Sequence, residues 1–186
     1  MPTLLLGLLG LGLAFVVSAI AAVTDARSGR IPNVLTVPAA ACGLVLHAAL
    51  GGTRGAVTSF AGLVLSGLVP WLLYRSTRGR AIGGGDVKLF AALGALVGPS
   101  PGLEIELAAF VALSLFAMVR LTFRGELLRL LKNVVLVGVR PLVPRERRRP
   151  LESLAMTELR MGPAILAGVA AVIVADHAGR WTSWLG

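Results

Sequence analysis

Leu4–Val23, LLLGLLGLGLAFVVSAIAAV, runs for twenty residues without a charge. As a helix, twenty apolar residues rise about 30 Å, the thickness of the hydrocarbon core of a bilayer. The stretch therefore predicts a transmembrane helix. Ser18–Ala22 has the small residues of a signal-peptide cleavage region, but no Lys or Arg precedes the apolar run, so it is read as a retained span. Comparable runs recur at Val34–Leu50, which holds only His47 as a possible charge, at Ala56–Tyr74, at Leu107–Val119 and at Gly162–Ala175. The run at Leu107–Val119 extends to Phe123 if Arg120 snorkels. A shorter run, Val87–Val97, would rise only about 16 Å and needs its flanks to cross. Hydrophobic residues make up 56% of the chain, charged residues 15%, and the mean hydropathy is +0.84. These values lie outside the range of soluble domains. The expectation is an all-α, polytopic membrane protein with about six transmembrane helices, forming a single membrane-embedded domain over residues 1–186.

The basic residues alternate with the runs. Arg27 and Arg30 follow the first; Arg75, Arg78, Arg80 and Lys88 follow the third; nine more fall between Arg124 and Arg160. Basic loops stay in the cytoplasm, so six crossings place the N-terminus outside and segments 24–33, 75–86 and 124–160 inside. The location implied is the inner (plasma) membrane. A net charge of +9 suggests nucleic acid at first sight, but loops lying against anionic lipid account for it. Membrane lipids are expected partners and nucleic acid is not. The basic cytoplasmic loop at 124–160, richest at Arg145 and Arg147–Arg149, is assigned to topology and lipid contact.

Two spans separate Asp25, in Thr24-Asp25-Ala26-Arg27, from Asp86, in Gly83-Gly84-Gly85-Asp86-Val87-Lys88. An even number of crossings returns the chain to the same face, so both carboxyls are expected at one membrane edge, where ionisable groups are functional candidates. Either alone reads as a helix cap or linker residue; two beside turn-forming sequence, Ile31-Pro32-Asn33 in one case and the glycine run in the other, point to a shared site. The glycine run has no Gly-x-x-x-x-Gly-Lys-Ser/Thr pattern and no βαβ context, which sets nucleotide binding aside. It is expected to form irregular backbone that uses the positive φ open to glycine, dipping into a polar cavity. Two carboxyls brought close share one proton, so that one acts as base towards water while the other polarises a carbonyl. Asp86, at a helix N-terminus, is expected to be the more easily ionised.

These residues resemble the type IV prepilin peptidases, aspartic membrane peptidases whose catalytic aspartates are the first Asp and that of Gly-x-Gly-Asp. The resemblance implies a dyad of Asp25 and Asp86, with Gly83, Gly85, Lys88, Pro32 and Asn33 shaping the site. Arg160-Met161-Gly162-Pro163-Ala164 is similar to a Pro-x-Gly-x-Ala segment near the family's last helix, with Arg160 in place of the leading Pro. The implied reaction is cleavage of the cytoplasmic leader of pilin-like precursor proteins, and the implied further partner is the pilus assembly machinery, for instance an assembly ATPase at the basic loop. No cofactor and no metal are expected. Bifunctional members carry paired cysteine motifs and methylate the product. Here the one cysteine, Cys42, falls inside the second run, which resembles the short tight-adherence (Flp/Tad) branch without a methyltransferase domain. On the residues alone, a transporter relaying protons or a cation through the two acids, and a non-catalytic scaffold of a pilus secretion system, remain the alternatives. A relay normally spaces its acids across the bilayer rather than on one side.

Overall fold

A computed structural model describes residues 2–125, 132 and 160–185. The basic segment at 124–160 lies outside the described residues except for Arg124, Gly125, Lys132 and Arg160. Among the described residues the structure is helical throughout: α1 (Pro2–Ser28), α2 (Asn33–Thr77), α3 (Gly84–Val97), α4 (Pro99–Phe123) and α5 (Gly162–Leu185). The chain divides into two compact units, residues 1–112 with 160–186, and residues 113–159. Of the second, the described part is the end of α4, closed by the left-handed Gly125 at φ 67°.

A straight helix of the 45 residues of α2 would be about 68 Å long, more than twice the apolar thickness of a bilayer. Gly52, at φ 60° and ψ −146°, breaks it into two limbs, using a conformation that glycine adopts at little steric cost. The limbs fold back on each other so closely that a Cβ at Gly55 would collide with the carbonyl of His47. Both then meet the same stretch of α3. From the first limb His47 Nε2 is hydrogen-bonded to the Leu96 carbonyl at 3.0 Å, and from the second Ser59 Oγ donates to the Ala95 carbonyl at 2.7 Å. The two apolar runs at 34–50 and 56–74 are these limbs.

Small residues face inward and large ones outward. Ala14, Ser18, Ala21, Ala22 and Asp25 form the buried stripe of α1; Thr36, Ala39, Gly43 and His47 form that of the first limb of α2; Gly55, Ser59, Gly62, Ser66 and Pro70 form that of the second. Each repeats at the three- and four-residue spacing of one helix face. Val34, Val57, Leu107 and Val174 are each more than 65% exposed. In lipid there is no hydrophobic drive to bury such side chains, and helices associate by close backbone approach at small residues instead. Gly62 and Gly94 illustrate it, each lying where a Cβ would strike the backbone of the other. The short α3 is the centre of the bundle, with Leu89, Phe90, Leu93 and Leu96 all fully buried.

Two boundaries differ from the apolar runs. Helix α3 begins at Gly84, and α4 begins at Pro99, eight residues before Leu107, with only Gly98 between them. Pro99 and Pro101 sit in the first turn of α4, where a missing N–H costs no helical bond. The added turns bring Glu106 into a buried position. The stack of Phe90 on Phe110, with ring centroids 5.8 Å apart, joins α3 to α4, and Gly168 lets α5 approach the backbone of Ile105 and Ala109. Leu5–Ser28, Asn33–Thr77 and Pro99–Phe123 are long and apolar enough to cross a membrane, and Gly162–His177 is a shorter apolar helix. The molecule is a polytopic helical protein built for a bilayer.

Candidate functional site

Because α2 doubles back, its first and last turns lie at one end of the bundle, and four chain segments meet there: the end of α1, residues 29–33, the start of α3 and the start of α5. Asp25 belongs to the last turns of α1 and is buried to 7% exposure. The helix ends three residues later at Ser28, and the next residue, Gly29, has a φ of 65° that lets its N–H reach back to the Asp25 carbonyl at 2.8 Å. Pro32 then caps α2 in an extended conformation, and its carbonyl accepts from the N–H of Leu35 at 3.1 Å. Asn33, the first residue of α2, accepts a hydrogen bond on Oδ1 from Lys88 Nζ at 2.9 Å. That contact ties the start of α2 to α3.

The connection from α2 to α3 turns at Arg78 and Gly79, both in the left-handed region, with the Gly79 N–H returning to the Tyr74 carbonyl at 2.8 Å. Gly83 is extended and caps α3, while Gly84 and Gly85 are already helical. The expectation of positive φ in the glycine run therefore fails at Gly83, Gly84 and Gly85; the left-handed glycine of this connection is Gly79. Gly85 is needed for room instead. A Cβ there would lie 3.1 Å from Ile31 Cβ and 3.3 Å from the Ile31 carbonyl oxygen. Gly85→Val adds two more carbons at that contact and should abolish most cleavage while membrane insertion stays normal; activity equal to wild type would show that the 31–85 contact does not shape the site.

Asp86, at the third position of α3 and ahead of the apolar run 87–97, accepts the Gly83 N–H on Oδ2 at 3.1 Å, the returning half of a capping box. Its pKa is raised from 3.8 to about 6, by burial above all; the Gly83 N–H opposes the rise and the negative charge of Asp25 adds to it. The expected ease of ionisation at the helix N-terminus is thus outweighed by desolvation. The same electrostatic contact shows that the structure brings Asp25 and Asp86 together, on α1 and α3, across 61 residues of sequence.

The fourth segment was only partly anticipated. Gly162, the first residue of α5, donates its N–H to Asp25 Oδ2 at 3.0 Å in a buried contact. Arg160 Nη1 donates to the carbonyl of Asp25 at 2.6 Å and also to that of Ala26. The sequence singled out Arg160 only as a departure from a family pattern; the signal that pointed further was an arginine two residues before a glycine that opens an apolar run. An open cavity of about 470 Å³ runs along Ser76, Thr77, Arg78, Arg80 and Ala81. Its lining includes neither aspartate and no residue of the glycine run, so it is not the polar cavity expected there. Among the described residues no three His, Cys, Asp or Glu side chains are grouped as a metal site would require.

A family model described as the type IV leader peptidase family matches residues 5–119, a span that includes Asp25, the Ile31-Pro32-Asn33 turn and the whole Gly83–Lys88 segment. Neither a curated protein nor a solved structure matches the chain. With well over half of its 186 residues covered by that one family model, the chain belongs to the type IV leader peptidase family.

Proposed function

We propose that this leader peptidase cleaves pilin precursors with Asp25 and Asp86 acting as one aspartic pair. The observation that carries the reading is the convergence of the two carboxyls at one end of the bundle, with Asp86 pushed up to about 6 by burial and by its neighbour's charge. The proposed chemistry starts from the pair holding one proton between them. The ionised member takes a proton from water as the water oxygen adds to the scissile carbonyl, and the protonated member gives its proton to the carbonyl oxygen. When the C–N bond breaks, the leaving nitrogen receives the proton taken from water, and the hydroxyl formed on the carbonyl oxygen returns its proton to the carboxylate that supplied it as C=O reforms. The water thus ends as the hydroxyl of the new acid and a hydrogen on the new amine, and the pair returns to one proton. Gly83, Gly85, Lys88, Pro32 and Asn33 serve as the frame that holds Asp86 against α1.

The orientation that suits this chemistry places the site at the cytoplasmic face of the inner membrane, where a precursor anchored by its own helix presents a leader. The basic segments 24–33 and 75–86 support that orientation. The substrates proposed are precursors of Flp/Tad-type pilins. Support for that branch is the single cysteine, Cys42, which is exposed on α2 and leaves this chain unable to build a four-cysteine site. Both acids at one end speak against a proton relay, which spaces its groups across the bilayer. Coexpression with Flp-type precursors tests the reading. Wild type should shorten the precursor on a gel, Asp86→Ala should not, and the product should carry no methyl group when this chain is the sole enzyme supplied with S-adenosylmethionine. Failure to shorten any pilin-type precursor overturns the proposal.

A further inference from the structure

We infer that Arg160 and Gly162 are positioning residues for the Asp25 carboxyl: the arginine pins the start of α5 to the end of α1, and the glycine N–H then fixes the direction in which Asp25 points. This rests on the reading of Asp25 as catalytic and adds to it a part supplied from beyond the matched span 5–119.

The arrangement begins with a mismatch. Asp25 lies in the last turns of α1, where the helix presents its negative end and a carboxylate is poorly placed. No side chain of α1 is recorded as bonding it. The N-terminus of α5 supplies the missing partner, because its first N–H, at Gly162, has no helical carbonyl of its own to bond and meets Asp25 Oδ2 at 3.0 Å. For that bond to form, α5 must start against α1 with almost no gap. An ideal Cβ at Gly162 would lie 2.8 Å from Asp25 Cβ, 3.0 Å from Asp25 Oδ2 and 3.1 Å from Ala22 Cα. Hence the residue must be glycine for reasons of space.

Arg160 provides the grip. Its guanidinium donates to the carbonyls of Asp25, which also accepts the Gly29 N–H, and of Ala26, at the C-terminus of α1. A cation at that end also suits the helix dipole. One nitrogen, Nη1, donates to both carbonyls. Arg160 is itself exposed and the neighbouring Met161 is buried. The anchoring of the backbone therefore comes from Met161 below and from the arginine's hydrogen bonds above. Asp25 Oδ2 is thereby occupied, and the carboxyl is held in one orientation.

The test uses the full chain in detergent micelles with a pilin-type precursor. Arg160→Ala and Gly162→Ala should each lower kcat by about 10- to 100-fold, the range associated with an ångström-scale misplacement, with KM within about twofold of wild type. Arg160→Lys should recover part of the loss. A rise in KM at unchanged kcat would assign Arg160 to leader binding and overturn the inference, as would full activity in both alanine variants. If Asp25→Asn is inactive while Arg160→Ala and Gly162→Ala are fully active, only the positioning role fails. If Asp25→Asn is itself active, the aspartic reading fails first. Melting of each variant is measured alongside; loss of folding in Arg160→Ala, Arg160→Lys and Gly162→Ala together would make the segment a stability element and overturn the inference too.

Discussion

Asn at Asp25, at Asp86 or at both positions should bring precursor cleavage to one common residual rate, at least about 10³-fold below wild type. The losses should not add, because either substitution already removes the acid and base combination. Folding should respond in the other direction. The fold raises the pKa of Asp86 from 3.8 to about 6, so the folded chain binds its proton more tightly than the unfolded chain does. The stability linked to that proton is fully present below pH 3.8 and is lost as pH rises through about 6. A shift of this size corresponds to about 3 kcal/mol. Wild-type melting should therefore decline between pH 4 and 6.5, and Asp86→Asn, which has no proton to lose, should melt at a more constant temperature over that range. Initial rates and melting curves on the four proteins decide the matter. Substantial activity in either single variant would remove the dyad.

Gly94→Leu should be the most damaging single change for the fold. A Cβ at Gly94 would lie 2.6 Å from Ser66 Oγ and 2.7 Å from the Gly62 carbonyl carbon, and one at Gly62 would lie 2.8 Å from the carbonyl carbon of Gly98. Overpacking at well-packed sites costs about 1–3 kcal/mol for a few added carbons, and here the obstacle is backbone on both sides. A leucine at either position should separate α2 from α3, lower the melting temperature by tens of degrees or prevent folding, and expose the connection 78–83 to protease. Gly7→Leu is the matched control, since nothing lies within 4 Å of a Cβ there. Equal melting of Gly94→Leu and wild type would mean the α2–α3 contact contributes little.

Both results depend on features that the amino-acid sequence disclosed unevenly. Hydropathy located the apolar part of each described helix, because the length of an apolar run is set by the bilayer. It also placed Asp25 and Asp86 at one end, since counting crossings needs no knowledge of packing. What hydropathy does not register is helix that continues past the apolar run. Helix α1 carries Asp25 within its last turns and ends at Ser28, and α4 starts at Pro99, because a charge or a proline in a terminal turn ends a hydropathy reading without ending a helix. Gly84 and Gly85 misled for a related reason. Glycine has a poor helix propensity, yet both stand in the first turn of α3, and at Gly85 the nearness of Ile31 leaves no room for a side chain. Arg160 and Gly162 reach back 135 and 137 residues to Asp25, and no local pattern carries that information.

The single-residue link at Gly98 sets the mechanics of the site. Its N–H is bonded to the Gly94 carbonyl at 2.8 Å and its carbonyl accepts the Gly102 N–H at 3.1 Å, so both of its polar groups are already engaged by the helices it joins. There is no slack in such a joint. Helix α3 cannot slide along its axis past α4 without unwinding a turn of one of them, and Asp86, near the far end of α3, is carried on a strut of fixed length. Asp25 is mounted differently. Its helix reaches α3 in sequence only through the 29–32 turn and the whole α2 hairpin, and in space it is gripped by α5. The separation of the two carboxyls is thus set on one side by the chain itself and on the other by helix packing, in which α5 lies against both α1 and α4.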